Sequence, residues 1–134
     1  MKRIPILALA LLFSGGVLAG TDHYVRRDGG HVQHLKITQR GGETHVGMDV
    51  DFEPGAGDKR GAHACSVDMD GEAKETAPNE LVLKRQLENQ ARHCVLKIHL
   101  SGDEAKVEQS EECVYYTGHF CSFDTAGQAL KKAR

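Results

Sequence analysis

The side chains with the most chemical reach in this chain are its four cysteines and eight histidines. A cysteine beside an imidazole can serve as a nucleophile, and His93 adjoins Cys94 while His63 lies two residues before Cys65. Neighbouring strand residues face opposite ways, however, so His93 is not placed to activate Cys94. An even number of cysteines in a short exported chain is more naturally a disulfide set than a reactive or metal-binding one. Cys65, Cys94, Cys113 and Cys121 are therefore all expected in disulfides, and no catalytic residue is assigned.

The histidines raise the question of a metal. His31 and His34 point to opposite faces of an extended strand. His93 and His99 share a face but stand too far apart to chelate one ion, at about 3.3 Å rise per residue. There is no HxH pair and no HExxH helix. The expectation is scattered solvated histidines, with no metal and no cofactor. His63 has the parity of Cys65, which turns it toward the core as a hydrogen-bonded structural residue. Asp49/Asp51 and Asp68/Asp70 occupy alternate outward positions on strands, the pattern of a solvated face rather than of a calcium site or a glycosidase carboxylate pair. Glu111/Glu112 form a third acidic pair. No nucleophile elbow, phosphate loop or dinucleotide motif is present.

The elements that must position these residues are clearest between His93 and Phe123, HCVLKIHLSGDEAKVEQSEECVYYTGHFCSF. Cys94, Leu96, Ile98 and Leu100 alternate with polar or outward residues, the period of a half-buried strand. A two-residue turn at Gly102-Asp103 sets Leu100 opposite Ala105 and Ile98 opposite Val107, so one apolar face results. A second hairpin is read in CVYYTGHFC, with a three-residue loop Tyr116-Thr117-Gly118 whose glycine takes the positive-φ position of a G1 bulge. That register pairs Tyr115 with His119 and brings Cys113 opposite Cys121. The preferred bridges are then Cys113 with Cys121 and Cys65 with Cys94, although four cysteines allow three connectivities and the sequence does not choose among them.

Upstream, Leu35 and Ile37 precede a Gly41-Gly42 turn, and Val46, Met48, Val50 and Phe52 alternate beyond it, pairing Ile37 with Val46 and Leu35 with Met48. Glu53 to Gly61 reads as an exposed loop. Ala62 to Lys74 forms another strand region with Cys65, Val67 and Met69 on one side. In Asn79 to Arg92, Leu81 and Leu83 suit a strand while Leu83, Leu87 and Ala91 fit a helical stripe; a strand at Leu81 to Arg85 followed by a loop is favoured. Thr21 to Gly30 reads as a loose lead-in anchored by Tyr24 and Val25, and Ala129 to Arg134 as a frayed end or helical turn.

Residues 1–20 have the form of an export signal: Lys2 and Arg3, an apolar run Ile4 to Phe13, then Val17-Leu18-Ala19. The run is too short for a retained bilayer span, and Thr21 stands where a lipoprotein signal requires cysteine, so no stable membrane anchor is expected. Residues 21–134, roughly 115 in number, make one β-rich domain. Removal of Lys2 and Arg3 leaves 15 basic residues against 19 acidic ones, a formal charge of −4. That balance argues against nonspecific nucleic-acid binding and suits a basic protein partner. Short strands, glycine turns and no long helix indicate an all-β antiparallel barrel or sandwich of about seven to eight strands, disulfide-stabilised, with closure preferred because it removes exposed edges.

The segments GAHACSVDMDGEA and HCVLKIHLSGDEAKVEQSEECVYYTGHFCSF resemble small exported bacterial proteins with a cysteine before a GxA-type strand, a C-x-L-x-I strand and a closing C-x-Y-x-G segment. In size, export and disulfide use the layout is similar to the periplasmic lysozyme-inhibitor barrels. The SG-x-x-Y loop of one such group is not matched, since Ser101-Gly102 continues into Asp103-Glu104-Ala105. Export, the expected disulfides, the acidic balance and the lack of an assembled catalytic group lead to the expectation of a non-enzymatic binding protein of the bacterial envelope, periplasmic or secreted. The resemblance points to a lysozyme-like cell-wall hydrolase as a partner it would inhibit, although fold resemblance alone does not supply that activity. Partner contact is then expected at Tyr115, Tyr116, Thr117 and His119, on a loop that the disulfides preorganise. The alternative is a periplasmic protein that binds a metal or small ligand through its histidines; a structural or stress-related envelope protein is a third class.

Overall fold

A computed structural model describes residues 20–55, 63–87, 91–118 and 121–133. Eight strands follow one another as an antiparallel meander, and the last pairs with the first to close a barrel. They are β1 (Gly20–Asp28), β2 (His31–Arg40), β3 (Glu43–Phe52), β4 (Cys65–Ala77), β5 (Glu80–Gln86), β6 (His93–Ser101), β7 (Glu104–Gln109) and β8 (Leu130–Lys132). Between β7 and β8 lie a 3-10 turn, Glu111–Cys113, and one helical turn, α1 (Val114–Thr117).

Alternation decides what fills the interior. Leu35 and Ile37 of β2, Val46, Met48 and Val50 of β3, and Met69 of β4 are buried, as are Leu83 of β5, Leu96 and Ile98 of β6, and Val107 of β7. Phe123 and Leu130, from the last part of the chain, are fully enclosed with them. An eight-stranded barrel is just wide enough for inward side chains to fill it. The two glycine-turn registers expected from the sequence are present: Ile37 faces Val46 and Leu35 faces Met48, while Ile98 faces Val107 and Leu100 faces Ala105. The strand favoured at Leu81 to Arg85 is also there, within β5. Its hairpin turns at Pro78-Asn79, where Asn79 takes a left-handed φ of 63°.

Three expectations are corrected. Thr21 to Gly30 is not a lead-in, because β1 runs through it and pairs along its whole length with β2. The positions that share the face of buried Tyr24, Asp22 and Arg26, are polar, so the strand lacks the apolar alternation that would announce it. The C-terminal tail is neither frayed nor helical: β8 inserts Leu130 between β1 and β7 and closes the barrel. The stretch read as a second hairpin is helical from Glu111 to Thr117. Gly118 does adopt the positive φ expected of it, at 76°, but it ends a helical turn rather than forming a bulge.

The disulfides change accordingly. Cys94 is bonded to Cys113, with Cα atoms 4.4 Å apart, and Cys65 to Cys121, with Cα atoms 5.8 Å apart. After β7 the chain turns back over β6: the Ser110 amide donates to the Val95 carbonyl at 2.9 Å, and the Val95 amide donates to Ser110 Oγ at 3.0 Å. The 3-10 turn then drops Cys113 onto Cys94, which leaves Cys121 for Cys65 at the start of β4.

The meander brings both bridges, α1 and the last residues of β3 and β5 to one end of the barrel. The short hairpin turns at Gly41-Gly42, Pro78-Asn79 and Gly102-Asp103 occupy the other.

Candidate functional site

At the disulfide end, the helical turn is held from both sides. Cys113, fully buried, anchors its start, and the Gly118 amide donates to the Val114 carbonyl at 2.8 Å to close it. Four residues are too few for a helix to persist alone, so the bridge to β6 and the packing beneath keep it in place. Its outward residues are Tyr115, 58% exposed, and Tyr116, 38% exposed, the exposed large hydrophobic side chains among the described residues.

Both rings are fixed although they face solvent. The Tyr116 hydroxyl donates to the Asp68 carbonyl on β4 at 2.8 Å, and its ring lies 6.1 Å from that of Phe123. The Arg92 guanidinium sits 4.1 Å from the centre of the Tyr115 ring, a cation–π arrangement. Thr117, expected on the same contact surface, is buried, and its hydroxyl lies within hydrogen-bonding distance of the Cys113 and Gly118 carbonyls. It supports the turn from inside. His119 lies outside the described residues. Of the four expected contact residues the structure thus turns two outward together and one inward. Arg92, which joins them, was not singled out in the sequence because only the fold of the chain after β5 brings it over Tyr115.

The histidines are distributed around the wall. His99 stands between Glu80 and Glu108, at 3.6 and 3.3 Å, and His45 lies 3.2 Å from Glu43. His31 packs edge-on against Phe52 at 6.0 Å, and burial together with Arg26 holds its pKa below the ordinary value, partly offset by Asp28. His63, expected to turn inward with Cys65, is exposed, because strand alternation begins only at Cys65. Among the described residues no group of three or more His, Cys, Asp or Glu side chains is disposed to hold a metal ion. One pair does meet: His23 of β1 and His34 of β2 bring Nε2 and Nδ1 to 2.8 Å. Burial first, then His34 and Lys36, lower the His23 pKa, with Asp49 opposing. The acidic alternates behave as a solvated face, with Asp51 accepting from Ser66 Oγ at 2.7 Å and Asp70 3.9 Å from Arg85.

No family model, curated protein or solved structure matches this chain. The two disulfides indicate an oxidising, extracytoplasmic compartment. No helix among the described residues is long and apolar enough to cross a membrane. Of residues 1–20, read as an export signal, 1–19 lie outside those described, and Gly20 is the first residue of β1.

Proposed function

We propose that this is an exported, non-enzymatic binding protein of the bacterial envelope that docks a basic protein partner, a lysozyme-like cell-wall hydrolase, on its disulfide end. The observation that carries this reading is the pair Tyr115 and Tyr116, exposed yet held by a buried bridge, a carbonyl and a guanidinium. Tyrosines offer large amphipathic contact area, and side chains already ordered lose little entropy on docking. The barrel interior supports an outside surface as the working one, because Leu35, Met48, Met69, Leu96 and Phe123 fill it. The formal charge of −4 left after export favours encounter with a basic partner.

The test is direct. Added in stoichiometric amounts to a lysozyme acting on cell-wall material, the purified protein slows hydrolysis, and the effect weakens as salt rises. No slowing with any lysozyme tried would remove this class of partner.

A further inference from the structure

On the outer wall of the barrel, two imidazoles from neighbouring strands face each other nitrogen to nitrogen. His23 Nε2 and His34 Nδ1 are 2.8 Å apart, the ring centres 5.0 Å apart, and the planes differ by 21°. Their backbones are fixed by the continuous β1–β2 ladder, in which His23 faces Lys36 and Val25 faces His34. On the other side of His34, across the β2–β3 ladder, stands Asp49.

We propose that His23 and His34 form a bidentate site for a divalent ion that prefers tetragonal coordination, Cu(II) or Ni(II), with Asp49 as its neighbouring carboxylate. The two ring nitrogens are close enough that turning both rings about their side-chain bonds, with the strands in place, brings both lone pairs onto one ion. Among divalent first-row ions Cu(II) binds nitrogen sites most tightly, with Ni(II) next below it, and both accept square or tetragonal nitrogen and oxygen coordination. Imidazole nitrogens suit these ions, whereas Ca(II) and Mg(II) select oxygen ligands.

The proton balance is simple. In the free pair one facing nitrogen carries the hydrogen that the other accepts. Coordination moves that hydrogen to the opposite nitrogen of the same ring, and the ion takes two lone pairs from two neutral imidazoles. Lys36 opposes a cation here and Asp49 offsets it, so the carboxylate matters to affinity as a charge. The site is independent of the reading proposed for the tyrosine end.

The experiment is a titration of the protein with CuCl2 near neutral pH, followed by electron paramagnetic resonance and by the thermal midpoint. The expected result is a Cu(II) signal with nitrogen hyperfine structure and a raised midpoint, since an ion that binds only the native state must stabilise it. His23→Asn and His34→Asn should each weaken this binding at least tenfold while melting normally without metal. Asp49→Asn, which keeps both rings, should weaken it severalfold. His45→Asn should leave it unchanged. Absence of any Cu(II) binding, or undiminished binding in the His34→Asn protein, would overturn the proposal.

Discussion

Thr125 shows how much one side chain carries in this fold. The pairing of β8 with β7 covers only Glu104 with Lys131 and Ala105 with Leu130, so beyond it the edge of β7 away from β6 has no strand beside it. Thr125 stands in: its Oγ1 accepts from the Val107 amide at 3.1 Å, and its own amide donates to the Val107 carbonyl at 2.9 Å. Gln33, equally buried, donates to the Asp124 carbonyl at 3.2 Å, and Gln109 Oε1 accepts from the Phe123 amide at 2.8 Å. Thr125→Val keeps the volume but leaves the buried Val107 amide unpaired, which should cost roughly 1–3 kcal/mol in a denaturant melt. Titration of His31 gives a second expectation at this scale. Its folded pKa lies below the ordinary value of 6.5, so under that pH the unfolded chain takes up the proton first. Stability is therefore fully present above about pH 6.5 and declines as pH falls through it, until the folded imidazole is itself protonated. His23, also lowered, acts in the same direction. Midpoints measured from about pH 7 to pH 5 should fall, and His31→Gln should make the fall shallower. Neither the Thr125 seam nor the His23–His34 contact is legible in the sequence, since the first depends on the path of residues 121–130 and the second on β1, whose polar positions hide its period.

Among the elements, legibility followed the strength of the local signal. β2 with β3 and β6 with β7 were readable to the residue, because alternating apolar side chains and a two-residue glycine-bearing turn agree on one register. β1 carries polar Asp22 and Arg26 on either side of Tyr24 on one face, and β8 is three residues long, so neither offers a period to detect. In CVYYTGHFC the β-favouring Val114, Tyr115 and Tyr116 pointed to a hairpin, yet the path of Ser110 over β6 and the bond from Cys113 to Cys94 impose a helical turn. Tertiary context overrides such propensities routinely. Peptide mapping without reduction should accordingly join the Cys65 peptide to the Cys121 peptide and the Cys94 peptide to the Cys113 peptide; a fragment closed between Cys113 and Cys121 would contradict the helical turn. Replacing either bonded pair by serine should cost roughly 2–5 kcal/mol. The turn from β1 to β2 has its own constraint: the Glu53 amide donates to the Gly30 carbonyl at 3.1 Å, and a Cβ on Gly30 would collide with the Glu53 carbonyl. Gly30→Ala should lower the thermal midpoint by several degrees, as expected for roughly 1–3 kcal/mol of backbone displacement.

Taken whole, the molecule is a filled barrel with two unlike ends. One is closed by short turns, and the other gathers both disulfides, α1 and the exposed tyrosines. The barrel class and the participation of all four cysteines were evident from the sequence, whereas the gathering of the bridges beside the exposed tyrosines required the path of residues 110–118. Because the core is occupied, the account places recognition on the tyrosine end, where order is imposed by bonds that persist in an oxidising compartment. The most direct test of that claim is the affinity of a lysozyme-type hydrolase for the native protein and for a Tyr115→Ala/Tyr116→Ala variant, with thermal melts of both. The account predicts that the variant keeps its disulfides and a cooperative melt but binds at least tenfold more weakly, as for loss of about 1.4 kcal/mol or more from an interface anchor. Equal affinity in a variant that melts like the native protein would contradict it.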